Sequence, residues 1–482
     1  MNAGQVLEAL QSRGVQPRNL CIDSRRVQPG DVFLAWPGAA TDGRRYLADA
    51  AAKGAAALCY EADKADVPVF PIPSLAIPNL AGLAGALAHE VYGRPSEKLW
   101  LCGVTGTNGK TSVSQWIAQA LNEVGRRCAV IGTLGNGFIE HLVDSPNTTP
   151  DAVTLHRDLA GFVAAGATAC AMEVSSIGLD QGRTNGARFH TAVFTNLTRD
   201  HLEYHGTMEA YGAAKARLFH WPGLATAVVN LDDPFGRELA MQLRGRTPTI
   251  GYTLEDQDGA DQILRAENFI MTATGQRFTV AGENIETPLL GRFNTANLLA
   301  VLGALLAAGL PLVQAAASLG KLQAPPGRME RVGGEHGPLV VVDYAHTPDA
   351  LEKALTTLRE TALARKGRLL CLFGCGGDRD PGKRPLMGAV AERLADGVLL
   401  TSDNPRSESP QAILDAIAAG MRYPAPQESD RASAIRRLIA DAANEDVILL
   451  AGKGHEPYQE IAGQRLPFSD TETARRALES RP

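Results

Sequence analysis

LWLCGVTGTNGKTSVSQWIAQALNEVG, residues 99–125, changes character twice within 27 positions. The opening LWLCGVTG (99–106) is an apolar run short enough for a buried strand, and TNG (107–109) is turn chemistry. KTSVSQWIAQALNEVG (110–125) then carries a helical pattern that ends at a glycine. A strand, a small-residue turn and a helix start aim backbone amides at one point, where the helix dipole also favours negative charge. Lys110 can span the outer phosphates of a nucleotide, and the Thr111 hydroxyl can reach a magnesium ion. A strict G-x-x-x-x-G-K-[ST] motif needs Gly at position 104, where this chain has Val104. Gly106, Thr107, Asn108 and Gly109 keep the mechanics of the loop.

The same rhythm continues downstream. RRCAVIGT (126–133), ATACAMEV (167–174), HTAVFTNL (190–197) and TAVVNLDD (226–233) read as further central strands, with a helix over about 153–165. Apolar strands alternating with helices predict a mostly parallel sheet covered on both faces. Residues 245–290, polar and alternating around GQRFTV (275–280), predict a small antiparallel excursion. After KLQAPPGRMERVGG (321–334) the rhythm restarts. PLVVVDYAH (338–346), GRLLCLFGCGGDRD (367–380), DGVLLTSDNPR (396–406) and DVILLAGKGHE (446–456) each end an apolar run in polar residues, which predicts a second parallel sheet. Before residue 99, DVFLAWPG (31–38), AAALCY (55–60) and VPVFPI (67–72) read as short strands, with a helix after Pro78 and a linker at 92–98. The division expected is 1–98, 99–324 and 325–482, all α/β: a small mixed domain, a phosphate-loop domain and a Rossmann-like domain.

Composition sets limits. The 482 residues carry 47 Lys and Arg against 53 Asp and Glu, a net charge of −6, which argues against a nucleic-acid-coating protein. The seven cysteines show no CxxC pair or metal-ligand spacing, and suit reduced thiols in the cytoplasm. Residues 293–320 contain no charge, but the continuous apolar part, 298–310, is stopped by Pro311, short of the ~20 residues that span a bilayer. Two buried helices are expected there, with no stable membrane insertion.

Polar residues gather where the strands end, the position at which open α/β sheets bind ligands. Glu173 ends one strand, with Ser175 and Ser176 after it, and NLTRDHLEYHG (196–206) packs Asp200, His201, Glu203 and His205 into one loop. Lys215, in MEAYGAAKARLF, reads locally as a solvated helix lysine. Asn294 and Asn297 open a helix, and Asp343, Tyr344 and His346 end a buried strand. Arg379, Lys383 and Arg384 lie in a Gly-rich loop, while SDNPR (402–406) and GKGHE (452–456) follow the next strands. Three such loops on one sheet edge predict a pocket for a small ligand with carboxylates, for which Arg offers paired donors.

In order along the chain, GTNGKT (106–111), NTTP (147–150), MEVSS (172–176), NLTRDHLEYHG (196–206), YGAAKARLF (211–219), GRFNTAN (291–297), PGRMERV (326–332), DYAHTPD (343–349), GGDRD (376–380), DNPR (403–406) and GKGHE (452–456) resemble the Mur ligase family of ATP-dependent peptidoglycan-precursor ligases. The resemblance covers nearly the whole chain. It implies addition of meso-2,6-diaminopimelate to UDP-N-acetylmuramoyl-L-alanyl-D-glutamate through an acyl phosphate, with ATP and two Mg²⁺, by a cytoplasmic monomer.

Residue roles follow from the same resemblance. Lys110, Glu173, His201, Lys215 and His346 match catalytic positions, and Thr111, Glu173, His201 and Lys215 match metal-associated ones. Lys215 matches a lysine that the family carbamylates, which overrides its local reading. Asn294, Arg328 and Asp343 match nucleotide contacts. Asp23-Ser24-Arg25 resembles the motif holding the UDP portion, and Asn147, Thr148, Thr149, Ser175 and Arg183 match the muramoyl-peptide site. Arg379, Asp403, Asn404, Pro405, Arg406, Gly452 and Glu456 match the diaminopimelate site. One departure is Ile177, where many relatives carry His after EVSS. The alternatives are a lysine-adding ligase of the same family, a folate-type polyglutamylating enzyme, and a nucleotide-regulated binding protein without turnover.

Overall fold

The computed structural model describes residues 1–38, 41–63, 68–272 and 274–481. The chain packs as two compact units, Met1–Arg265 with Leu299–Ala315, and Ala266–Leu298 with Ala316–Pro482.

In the first unit, Leu20–Cys21, Val32–Ala35, Ala57–Glu61 and Ser74–Ile77 pair in that order as a parallel four-stranded sheet. The expected strand at 67–72 does not form over 68–72, and Val67 lies outside the described residues. Pro68, Pro71 and Pro73 lack the amide donors that a ladder needs, so pairing starts only at Ser74. The helix Leu80–Val91 covers this sheet, and the linker at 92–98 contains a short 3-10 turn, Pro95–Glu97.

The nine-stranded sheet of the same unit runs Gln262–Arg265, Thr249–Thr253, Thr226–Asn230, Thr191–Phe194, Trp100–Thr105, Ala169–Glu173, Cys128–Gly132, Gly135–Phe138, His141–Val143. All pairings up to Cys128–Gly132 are parallel, and the last two strands turn back antiparallel. Residues 245–265 therefore correct the reading of an antiparallel excursion beginning at 245, because they extend the parallel sheet by two strands. Only Glu267–Thr272, Gly275–Val280 and Glu283–Thr287, in the second unit, form an antiparallel sheet. Leu101, Val104, Val193, Val228 and Val229 are fully buried, as the continuous apolar runs require. Burying each such side chain contributes about 1.5–3 kcal/mol.

The six-stranded sheet of the second unit runs Glu330–Gly333, Leu339–Asp343, Val447–Ala451, Leu369–Phe373, Gly397–Thr401, Gln427–Glu428. It is parallel except for its first strand. That strand lies in the segment expected to be a break, where charge hid its alternation. Pro348–Arg365, Lys383–Leu394 and Pro410–Ala418 supply helices where the periodicity predicted them. The uncharged stretch forms two helices, Arg292–Ala307 and Leu312–Leu319, and no helix among the described residues is long and apolar enough to cross a membrane.

Candidate active site

The strand Trp100–Thr105 delivers the chain to Gly106, whose φ of +149° and lack of a Cβ are both required, since a Cβ would overlap Thr195 Oγ1. Gly109, at φ +86°, caps the helix Lys110–Glu123. The loop between them is fastened from outside. Thr107 N–H donates to Asn196 O at 2.8 Å and Asn108 N–H to Asn196 Oδ1 at 3.0 Å, while Thr195 Oγ1 donates to Asn108 O at 2.6 Å. The expectation that the amides of this loop all point inward is corrected at Thr107 and Asn108, which Asn196 occupies. Asn196 was not singled out in the sequence, although it opens the quoted NLTRD segment.

Lys110 Nζ donates to the carbonyls of Gly106 and Thr107, both at 2.8 Å. Lys215 Nζ donates to that same Gly106 carbonyl at 3.0 Å and lies 4.3 Å from the centroid of the Tyr211 ring. Lys215 is 1% exposed, so the local reading of a solvated lysine is overturned. Among the described residues no carboxylate pairs with it. Burial, reinforced by the neighbouring Lys110 charge, holds its amine well below the usual lysine range.

Glu173 is buried at the end of its strand. Its Oε2 accepts from Thr111 Oγ1 at 3.0 Å and Thr133 Oγ1 at 3.2 Å, and its Oε1 from Thr133 N–H at 2.8 Å. Gly132 permits this approach, because a Cβ there would meet the carboxylate. Thr111 and Glu173 thus put two oxygen ligands side by side at a helix start. That donor set suits a hard cation held mainly by phosphate oxygens and water, since Mg²⁺ is rarely caged by protein alone. Among the described residues no group of three or more His, Cys, Asp or Glu side chains converges as a metal cage. His201 sits at φ +52° on the surface, 3.4 Å from Asp200 and 3.6 Å from Glu203. The structure joins Thr111 with Glu173, and Lys110 with Lys215, whereas His201 lies against Asp200 and Glu203.

The muramoyl-peptide candidates gather around Thr149. Its Oγ1 donates to Glu173 O at 3.0 Å and accepts from Ser175 N–H at 2.9 Å, and Arg183 Nη1 donates to Thr149 O at 2.9 Å. Thr148 Oγ1 lies 3.2 Å from Thr133 Oγ1, and the Asn147 carbonyl accepts from Ser145 Oγ at 2.9 Å. A small recess of about 80 Å³ beside them is lined by Trp36, Asp151, Gln181 and Arg183 among others. Ser24 is buried in a 3-10 turn capped by Asp23, with Arg25 paired to Asp23, and Lys53 Nζ donates to the Ser24 carbonyl at 2.9 Å. Next to Ile177, the departure from the family pattern, the buried Ser176 Oγ lies 3.0 Å from His205 Nε2. Behind Arg183, the fully buried His156 contacts the Asn185 carbonyl through Nε2 at 3.0 Å and stacks edge-on with His89.

In the second unit, Arg328 lies 5.0 Å from the Tyr344 ring centroid, and its buried Nε has no acceptor among the described residues. An orphaned guanidinium N–H fits a site that awaits an anionic or polar ligand. Asp343 accepts from Met329 N–H at 2.8 Å, and burial pushes its carboxyl up, opposed by Arg328. His346 contacts the Tyr344 carbonyl at 2.8 Å, and burial pulls its imidazole down. Asn294 is buried and donates from Nδ2 to Leu290 O at 2.8 Å, tying the first turn of its helix to the chain before it.

The three polar loops do converge on one sheet edge. Arg406, at φ +51°, donates from Nη1 to Gly377 O at 2.7 Å and lies 3.5 Å from Glu460. Asn404 Nδ2 donates to Glu456 Oε2 at 2.8 Å. Asp403 is buried beside Gly452, where φ is +111° and a Cβ would strike the carboxylate. Burial pushes the Asp403 carboxyl up, while Arg431 and Lys453 pull it down. Arg379 stays on the surface, reaching only the Asp378 carbonyl at 3.4 Å. Pro405 joins Asn404 to Arg406, and its carbonyl packs on Gly377. Sequence reasoning missed Lys453 and Arg431, both fully buried under these loops. Arg431 forms a two-point pair with Asp470 (2.6 and 2.7 Å) and donates to the carbonyls of Ser402 and Ala451.

A parallel sheet with a phosphate loop, a buried hydroxyl–carboxylate pair at its helix start and a second α/β sheet bearing a polar pocket define a multidomain enzyme that uses a nucleoside triphosphate. Comparison with known proteins narrows this class. The Mur ligase middle domain matches residues 104–305, the glutamate ligase domain of Mur ligases 327–454, and the Mur ligase family catalytic domain 17–92. The chain belongs to the Mur ligase family. It is 56% identical over 467 residues to the UDP-N-acetylmuramoyl-L-alanyl-D-glutamate–2,6-diaminopimelate ligase of Pseudomonas aeruginosa, covering 96% of this chain and 95% of the relative. It is 53% identical to the Chromobacterium violaceum protein of the same name, over 97% and 96%. A solved structure of a diaminopimelate ligase aligns with TM-score 0.73 at 38% identity, over 96% and 95% of the two chains.

Proposed function

We propose that this protein is the ATP-dependent, ADP-forming ligase that joins meso-2,6-diaminopimelate to UDP-N-acetylmuramoyl-L-alanyl-D-glutamate in peptidoglycan precursor synthesis. The observation that carries this reading is full-length likeness to ligases of that name in a chain that keeps DNPR and GKGHE on one pocket edge. The terminal carboxylate of the nucleotide-sugar dipeptide takes the γ-phosphoryl group of ATP, and ADP leaves. The amine of the incoming amino acid then attacks the acyl carbon, phosphate departs and nitrogen loses a proton. Positioning and charge stabilisation supply most of such a rate enhancement.

In this reading Gly109 and Lys110 hold the phosphates on the loop that Gly106, Thr107 and Asn108 shape, and Asn294, Arg328 and Asp343 contact the nucleotide. Thr111, Glu173 and His201 hold Mg²⁺, with a carbamate on Lys215 serving a second ion; bound Mg²⁺ offsets charge on the transferred phosphoryl group. A neutral amine is what reacts with CO₂, and the depressed Lys215 amine, lacking an acid partner among the described residues, supports that modification. Residues 1–98 with Ser24 take the UDP end, 99–324 the ATP and 325–482 the amino acid. Asn147, Thr148, Thr149, Ser175 and Arg183 hold the muramoyl peptide, and His346 assists near the phosphates.

Arg406 would face a carboxylate of diaminopimelate that lysine lacks at its distal end. Leaving such a largely buried donor unpaired costs up to about 1–3 kcal/mol, enough for clear preference. The test is product mass after incubation with ATP, the UDP-dipeptide and an equimolar mixture of meso-diaminopimelate and lysine. The diaminopimelate adduct should dominate. Equal lysine incorporation would remove the specificity, and absence of phosphate release with either amino acid would favour a binding protein.

A further inference from the structure

Lys453 follows the strand Val447–Ala451 by two residues, and its side chain is fully buried. Its Nζ donates to Asn404 Oδ1 at 3.1 Å and to Glu456 Oε2 at 3.0 Å. The backbone N–H of Glu460 donates to the same Asn404 oxygen at 2.9 Å. Asn404 Nδ2 in turn gives one proton to Glu456 Oε2 at 2.8 Å.

These four bonds remove a choice that an asparagine normally has. Rotating the carboxamide by half a turn would set its NH₂ group against an ammonium and a backbone N–H, donor against donor. Asn404 is therefore fixed with its oxygen inward, and its second Nδ2 proton has no acceptor among the described residues. Glu456 is fixed by the same logic. Its Oε2 takes two donors, and its Oε1 makes no hydrogen bond among the described residues. One N–H of Asn404 and one carboxylate oxygen of Glu456 are consequently left side by side without a partner among the described residues.

We propose that Lys453 is the positioning residue that sets amino-acid selectivity, by fixing Asn404 as a donor and Glu456 as a single-oxygen acceptor for the zwitterionic α-amino-acid end of the cosubstrate. The proposal rests on the reading that this pocket takes the amino acid. A ligand whose distal end carries both ammonium and carboxylate satisfies Glu456 Oε1 and Asn404 Nδ2 together. One ending in a bare ammonium satisfies only the first. Removing Lys453 takes away one of the two donors that hold the Asn404 oxygen, leaving the Glu460 N–H alone to orient it, and leaves Glu456 without its buried counter-charge.

The experiment measures steady-state kinetics of Lys453→Met and Lys453→Gln with meso-diaminopimelate and with lysine, in the full chain, alongside thermal midpoints. For Lys453→Met the KM for diaminopimelate should rise about 10- to 100-fold. The KM for ATP and for the UDP-dipeptide should stay within about threefold, and the diaminopimelate-to-lysine ratio of kcat/KM should fall by about tenfold or more. Lys453→Gln keeps a neutral donor and should recover part of the ratio. If Lys453→Met is too unstable to assay, Lys453→Gln decides the matter, its diaminopimelate-to-lysine ratio being expected below that of the unaltered protein. An unchanged ratio and unchanged KM in folded variants would overturn the proposal. Failure of the unaltered protein to incorporate diaminopimelate would instead refute the function proposed above.

Discussion

Both sheet edges bury cations, and they bury them differently. Under the phosphate loop, Lys215 shares one carbonyl with Lys110 and has no carboxylate partner among the described residues. Under the pocket of the second unit, Arg431 is matched atom for atom by Asp470, and Lys453 meets Glu456. Burial without a partner makes an amine neutral and nucleophilic, whereas burial against a carboxylate makes a cation a fixed structural strut. The first arrangement prepares a group to be modified. The second fixes the geometry of loops whose residues face a ligand.

Removing one member of the paired type should have the largest effect. Arg431→Met leaves Asp470 buried and unpaired, and should lower stability by about 3–5 kcal/mol in denaturant unfolding. Arg431→Met with Asp470→Leu should recover most of that loss. Full stability of the single variant would break the contrast.

Lys215 should behave in the opposite way. Lys215→Met should keep or raise the thermal midpoint, since an unpaired buried amine is replaced by an apolar group of similar size. It should nonetheless lower kcat by about 10²- to 10³-fold. Lys215→Ala should regain activity with a short carboxylic acid, and mass analysis with CO₂ retained should find the carbamate on the unaltered protein. A fully active Lys215→Ala without rescue would end that assignment.

His156 extends the comparison to a second buried group without an acid partner among the described residues. Burial pulls its imidazole from 6.5 down to about 4. The unfolded chain takes up a proton as pH falls through 6.5, which the folded chain refuses until about pH 4. Stability should thus decline across that interval by up to roughly 3 kcal/mol, and His156→Gln should flatten this part of the profile. An exposed pair marks the lower limit. Lys353 and Asp349 lie 2.7 Å apart on a helix surface, yet Lys353→Ala should change stability by only about 0.5 kcal/mol or less.

Much of this was legible in the chain. Apolar runs such as VVVD and CLF are long enough to be strands and too continuous to be half-exposed ones, so both parallel sheets could be read directly. Short strands at proline-rich or charged positions were misplaced, as at 67–72, or missed, as at Glu330–Gly333, because local composition there opposes what pairing with a neighbour stabilises. The loop residues DNPR and GKGHE were found because they follow apolar strands. Lys453, inside the second motif, was passed over because sequence spacing does not show which polar side chain turns inward.

The sequence by itself determined the strand and helix order, the phosphate loop and the family, since these depend on local periodicity and on contiguous motifs. Only the tertiary structure decided which charges lost water and what they met there. Lys215 and Lys353 both lie on helices, but one is 1% exposed and the other makes a surface ion pair. The free energy of a charge depends on its surroundings in three dimensions, and those are assembled from residues far apart in the chain.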